Sequence, residues 1–319
     1  MKKKLSLGIV IDEKCNIQCD HCCFSSGPKS TNNINDDVIL EIIEQATKIS
    51  EITTIGLSGG EAMLRQPLVL AAIRKISNSH KRATLTSNGF WGVTPHHAEK
   101  IVKSLVDSGL SFITISYDDF HSDLLSPKRV SNVLNACKKY GLNSSINVAI
   151  TKTKDGKRSL EKLGDSKSLS KIRFFPVTPA GKAKTIDSNE LIRTNKSPKT
   201  LRCPGFEPTF HFDGNIYPCC SPSVFETELT VGAVGTTSVS EAMWKISHNA
   251  YFSVIRNDGF GWIAEQAKQY GLIEESKAVN IVDVCELCSI IGTNKKFLRS
   301  IAPDLIEYAK KIYEQNYAN

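Results

Sequence analysis

The stretch Cys15-Asn16-Ile17-Gln18-Cys19-Asp20-His21-Cys22 decides how this chain is read, and Cys23 follows it at once. Three thiolates at C-x3-C-x2-C sit in a short loop just after the apolar run Leu5 to Ile11. Thiolate-only ligation at short spacing suits an iron–sulfur cluster. Three ligands on a four-iron cluster leave one iron open, and an open metal position is where a substrate or cofactor binds. The alternatives are a zinc knuckle and a disulfide. Zinc usually takes four protein ligands in paired spacing. A disulfide needs an oxidising compartment.

Composition narrows the choice. At 319 residues and 40% hydrophobic content, the chain can bury a sizeable core as one large domain or two modest ones. Met1-Lys2-Lys3-Lys4 is basic, but the apolar run behind it breaks at Asp12. That run is too short for a signal peptide. No apolar run of roughly 18 residues occurs, so no membrane span is expected. Ten cysteines in a cytoplasmic chain point to metal binding or catalysis more than to disulfides. Net charge is +7, and Lys152 to Arg202 holds fourteen Lys/Arg against five Asp/Glu. That stretch is either a solvated surface or a patch for an acidic partner such as a peptide. No nucleic-acid motif accompanies it, so no nucleic-acid partner is expected.

From residue 5 to 178 strand-like and helix-like segments alternate. The strands are Leu5–Ile11, Thr53–Leu57, Ala83–Thr86, Phe112–Ser116, Ser145–Ile150 and Ile172–Val177. Helical patterns lie between them at Asp36–Thr47, Pro67–Ile76, Thr94 to about Asp107, Val130–Tyr140 and, weakly, Ser159–Ser168. Thr94 before Pro95 reads as an N-cap and first turn. Six β/α units with parallel connections make an α/β fold.

Polar motifs fall at the strand ends. Ser58-Gly59-Gly60-Glu61 closes the second strand; its glycines serve either close approach to a ligand or a plain turn. Thr86-Ser87-Asn88-Gly89 closes the third. In Ser116-Tyr117-Asp118-Asp119-Phe120-His121, Ser116 and Asp118 alternate onto one side of the fourth strand's end. They read as ribose or substrate ligands, or as a solvated loop, and His121 reads as structural. Asn147 lies on the fifth strand.

Beyond Gly181 the pattern changes. Asp187–Thr200 is polar, without periodicity, and reads as a linker. Cys203, Gly214 and Cys219 form C-x10-G-x4-C, and Cys285 and Cys288 form C-x2-C. Cys220 directly follows Cys219 in a turn bounded by Pro218 and Pro222. Glu207 lies between Cys203 and Cys219, as an anchor for a peptide group or as a surface acid. Cys137 reads as a small core hydrophobe. A spare thiol such as Cys220 is an alternative cluster ligand, an inert neighbour, or a group that can return a hydrogen atom to a carbon radical, because S–H bonds are weaker than C–H bonds.

The three-cysteine loop resembles that of the radical S-adenosylmethionine (SAM) superfamily, whose members place an aromatic ring where His21 stands. The resemblance implies a partial (β/α)6 TIM-type barrel over 1–186, with its active site at the C-terminal ends of the strands. It implies that Cys15, Cys19 and Cys22 hold a [4Fe-4S] cluster. Gly59, Gly60 and Glu61 match the family's GGE motif, which holds the methionine ammonium of SAM. Ser87 and Asn88 are further SAM candidates, with Ser116, Asp118 and, more weakly, Asn147. The later cysteines resemble a SPASM domain shortened to its twitch form, since no cysteine follows Cys288. That implies a linker, a second [4Fe-4S] cluster on Cys203, Cys219, Cys285 and Cys288, and C-terminal helices over 187–319. Zinc is the other metal for four cysteines.

Four longer strings resemble peptide epimerases of the YydG/EpeE type: Cys19 to Ser26, Ser87 to Gly92, Thr114 to Asp118, and Tyr217 to Pro222. This resemblance implies inversion of L-residues to D-residues in a ribosomally synthesised precursor peptide. A 5′-deoxyadenosyl radical would take the Cα hydrogen and Cys220 would return one from the other face. A reductant such as flavodoxin or ferredoxin and a cytoplasmic setting go with it. Two rival readings stay open: a radical SAM enzyme that forms thioether or carbon–carbon crosslinks, and a non-catalytic iron–sulfur or zinc protein.

Overall fold

The computed structural model describes residues 4–274 and 278–317. The first half alternates as the periodicity predicts: β1 (Leu5–Val10), α1 (Asp36–Thr47), β2 (Ile52–Ser58), α2 (Gln66–Asn78), β3 (Arg82–Ser87) and α3 (Pro95–Asp107). It continues through β4 (Leu110–Ser116), the short α4 (Asp119–Ser122), α5 (Pro127–Lys139), β5 (Ser144–Ile150), α6 (Lys157–Lys162) and β6 (Lys171–Pro176). All neighbours from β1 to β6 pair in parallel. This is the partial TIM-type barrel.

Alternation along the strands divides core from cavity. Leu7, Ile9, Ile55, Leu57, Leu85, Ile113, Ile115, Ile146 and Val148 are almost fully buried. Their small or polar neighbours Gly8, Gly56, Thr84, Thr86, Ser116 and Asn147 face a cavity inside the curved sheet. Helix starts follow the sequence signals. Asn35 caps α1 by accepting from the Asp37 N–H, and Thr94 caps α3 by accepting from the His97 N–H.

The second half does not stand apart from the barrel sheet. A short β7 (Thr194–Lys196) precedes β8 (Thr209–His211), β9 (Asn215–Tyr217) and β10 (Gly232–Ala233). β8 pairs in parallel with β1, and β9 and β10 follow antiparallel, giving the sheet order β10-β9-β8-β1-β2-β3-β4-β5-β6. Helices α7 (Val239–Ser247), α8 (Ala250–Asn257) and α9 (Gly261–Gln269) follow. Then come β11 (Val279–Ile281), α10 (Val284–Gly292), α11 (Lys295–Ser300) and α12 (Ala302–Tyr317).

The expected linker is corrected in one respect: its residues Thr194–Lys196 are a strand, pairing antiparallel with β11. All three are exposed, so no apolar alternation marks them. Among the described residues no helix is long and apolar enough to cross a membrane.

Candidate active site

The cysteine loop lies across the end of β2. The Gly60 N–H donates to the Asp12 carbonyl at 2.6 Å and the Glu61 N–H to the Lys14 carbonyl at 2.9 Å. A Cβ on Gly60 would collide with the carbonyl oxygens of Glu13 and Lys14. One on Gly59 would come to 2.9 Å from the Asp12 oxygen. The two glycines therefore let the loop approach, and they also line the cavity.

Glu61 is placed differently from its expected role. It is 1% exposed and stands behind the cavity wall, not among the lining residues. Its carboxylate accepts from the Met63 N–H at 3.0 Å, the Ser87 hydroxyl at 2.9 Å and the Asn88 N–H at 2.7 Å. Burial pushes its carboxyl up, and these three donors oppose the shift. Ser87 also accepts from the Trp91 indole N–H at 3.0 Å. The Asn88 amide donates to Asn16 Oδ1 at 2.9 Å and lies 3.8 Å from Cys15 Sγ. Glu61, Ser87 and Asn88 thus form a bracket that joins the ends of β2 and β3 to the cysteine loop.

Asp118 is committed in the same way. Oδ1 accepts from the N–H groups of Phe120 and His121 and from His121 Nδ1 at 2.9 Å. Oδ2 faces His21 Nε2 at 3.3 Å and the Ala149 N–H. The paired histidines hold this carboxyl well below the usual range, although burial works the other way. Both oxygens have partners within the protein, so Asp118 orders the cavity wall that it also lines. His21 stacks on Phe120 with ring centroids 4.4 Å apart. His121, read as structural, joins Asp118 to Cys19. By contrast, Asn147 Oδ1 is buried on the cavity wall without a partner, which suits a ligand donor.

The cavity, about 600 Å³, gathers residues from distant parts of the chain. Cys15, Cys19, Cys22 and Cys23 reach it from the loop, and Glu207 and Cys220 from the segments around β8 and β9. Cys220 Sγ lies 3.7 Å from Glu207 Oε2. The thiol is open to the cavity but walled by protein, and burial, then the nearby carboxylate, pushes it up to about 12. Thr209, Phe175 and Asp283 also line the space and were not anticipated. Thr84 and Thr86 were legible in principle, as alternate residues on β3.

Cys219 turns the other way. With Cys203, Cys285 and Cys288 it lines a second, apolar pocket walled by Phe206, Val224, Leu229, Phe252, Ile255 and Phe260. Three of the four sulfurs have a hydrogen-bond donor beside them. Cys203 Sγ lies 3.5 Å from the Gly205 carbonyl, the Ser221 N–H faces Cys219, and the hydroxyls of Ser221 and Tyr251 lie beside Cys285 and Cys288. Donors aimed at sulfur in an apolar pocket suit thiolate ligands.

The Radical SAM superfamily model matches residues 9–161. YydG of Bacillus subtilis (strain 168), whose name assigns it to peptide biosynthesis, is 32% identical over 317 residues, covering 98% of each chain. This chain belongs to the radical SAM superfamily. Membership brings SAM and a [4Fe-4S] cluster as the superfamily's reagents. The GTP 3′,8-cyclase of Helicobacter pylori (strain J99) is 25% identical over 193 residues, 56% of this chain and 57% of that one. Among solved structures, SuiB of Streptococcus suis bound to S-adenosylmethionine superposes with a TM-score of 0.50 at 14% identity, over 68% of this chain and 60% of that one. That likeness concerns the fold.

Proposed function

We propose that this chain is a peptide epimerase that converts L-residues to D-residues in a ribosomally synthesised precursor peptide. One observation carries the reading: Cys220 opens into the cavity that holds the three-cysteine loop, while its neighbour Cys219 faces the apolar pocket. A thiol is thereby set across from the site of radical generation.

Cys15, Cys19 and Cys22 hold the first cluster, and Cys203, Cys219, Cys285 and Cys288 an auxiliary one. Sulfur spacing supports clusters over single zinc ions. Four sulfurs on one tetrahedral zinc lie about 3.8 Å apart. Among the described residues, only Cys19, His21 and His121 bring three ligand atoms within 4.8 Å of one another. Gly59, Gly60, Ser87, Asn88, Ser116 and Asn147 meet SAM at the cavity wall.

With SAM and the first cluster bound beside Cys15, Cys19 and Cys22, reductive cleavage of SAM would supply the 5′-deoxyadenosyl radical for removal of a Cα hydrogen. Cys220 then gives its hydrogen atom to the opposite face of the planar Cα radical. The S–H bond breaks, the new C–H bond forms, and a sulfur radical remains on Cys220. One electron and one proton restore the thiol, and a flavodoxin or ferredoxin of the reducing cytoplasm supplies the electrons. Glu207 anchors the peptide beside Cys220 through a backbone N–H or a basic group.

Reaction in D2O tests the proposal, since a thiol exchanges with solvent. The expected product carries one deuterium at each inverted Cα, is otherwise unchanged in mass, and forms with one SAM consumed per inversion. A product lighter by two hydrogens overturns epimerisation and favours crosslinking.

A further inference from the structure

The four auxiliary sulfurs do not receive equal donors. Cys203 Sγ lies against the Gly205 carbonyl, and Cys219 is served by a backbone N–H group, which nearly any sequence would provide. Cys288 and Cys285 are served by side-chain hydroxyls. Tyr251 on α8 is 4% exposed, and its hydroxyl lies 3.6 Å from Cys288 Sγ on α10. Ser221, one residue past Cys220, places its own hydroxyl beside Cys285. Apart from Ser289, the remaining wall residues are apolar.

A [4Fe-4S] cluster on four thiolates becomes more negative by one charge when reduced. In an apolar pocket that added charge is poorly solvated. Hydrogen bonds to the sulfurs offset the cost, and they are among the main controls of cluster potential. An iron-bound thiolate carries no proton, so Tyr251 must be the donor to Cys288. A buried tyrosine hydroxyl needs a partner, and this sulfur is the one it faces.

We infer that Tyr251, with Ser221 as a second donor, sets the reduction potential of the auxiliary cluster by hydrogen-bonding its Cys288 and Cys285 ligands. The inference rests on the auxiliary cluster proposed above. Both are positioning residues that act through the ligands and touch no substrate. Because Ser221 sits beside Cys220, the tuned ligand Cys285 and the proposed hydrogen donor meet at one turn.

The test is a redox titration of the reconstituted full chain, followed by electron paramagnetic resonance. The Cys15, Cys19 and Cys22 triple alanine variant assigns the auxiliary signal. Tyr251→Phe keeps the ring and removes only the hydroxyl. It should retain its iron, shift the auxiliary midpoint to a more negative potential, and leave the first cluster's midpoint unmoved. Ser221→Ala should shift the same midpoint in the same direction, so the inference can be read even if Tyr251→Phe loads poorly. Two loaded clusters with an unmoved auxiliary midpoint in both variants overturn this inference and leave the epimerase reading intact. A wild-type chain that loads a single cluster overturns the auxiliary site itself, and this inference with it.

Discussion

Cys220 Sγ lies 3.7 Å from Glu207 Oε2, and both side chains face the cavity that contains the three-cysteine loop. The pair flanks the β8–β9 hairpin, and the parallel pairing of β8 with β1 brings it beside Gly8. Gly8 on β1 makes room, since a Cβ there would touch Thr209 at 3.1 Å and Glu207 at 3.5 Å.

Glu207 is half-buried, and burial pushes its carboxyl up. As a peptide anchor it would make a charge-assisted hydrogen bond, worth about 1.5–3 kcal/mol. Glu207→Gln keeps the shape and removes the charge. It should raise the KM for peptide by roughly ten- to a hundredfold with both clusters retained. Steady-state kinetics and iron analysis check this, and a KM equal to wild type removes the role.

Much of this arrangement was legible in local sequence, and some was not. Thr94 and Pro95 announced α3 because capping is a local hydrogen bond. Most of the six strands stood out because one face carries buried aliphatic residues, as Leu7 and Ile9, Ile55 and Leu57, Ile113 and Ile115, and Ile146 and Val148 do. Cys203, Cys219, Cys285 and Cys288 reach one pocket although a long helical insertion separates the last two from the first. The place of β8 beside β1 was not legible, since its three residues are all buried and show no alternation. Nor was the engagement of Glu61 and Asp118. A carboxylate in a motif looks the same whether its partners are a ligand or the chain's own N–H groups.

Gly60 offers a test of the loop's seating. A methyl group there would press on two backbone carbonyls, which cannot swing aside as a flexible side chain would. Gly60→Ala should cost about 1–3 kcal/mol or more. The strain falls on the cysteine loop, so iron at the first site should drop while the auxiliary site still loads. Denaturant unfolding and iron analysis measure the two effects, and wild-type stability with full iron would show that the approach is not tight.

The metal sites make a separate prediction. Wild-type protein reconstituted without oxygen should hold about eight iron atoms, in two clusters of four. Replacing Cys15, Cys19 and Cys22 together by alanine should leave about four and abolish SAM cleavage. Zinc in the second site, or four irons in the wild type, would refute the cysteine assignment.

Cys220→Ala decides whether the thiol across the cavity is the hydrogen donor. Cys219, not Cys220, faces the apolar pocket, so both clusters should load as in wild type. The substituted side chain is exposed to the cavity, so thermal stability should hardly change. SAM should still be cleaved and 5′-deoxyadenosine should still form, because hydrogen removal precedes the donor's step. The Cα radical then lacks its donor, and inversion should fall by about a hundredfold or more, some 2.7 kcal/mol of barrier. Chiral amino-acid analysis of the hydrolysed peptide reads the inversion, and chromatography reads the deoxyadenosine. D-residues formed at the wild-type rate would exclude Cys220. The role would then pass to Cys23, the other thiol outside the two ligand sets that lines this cavity.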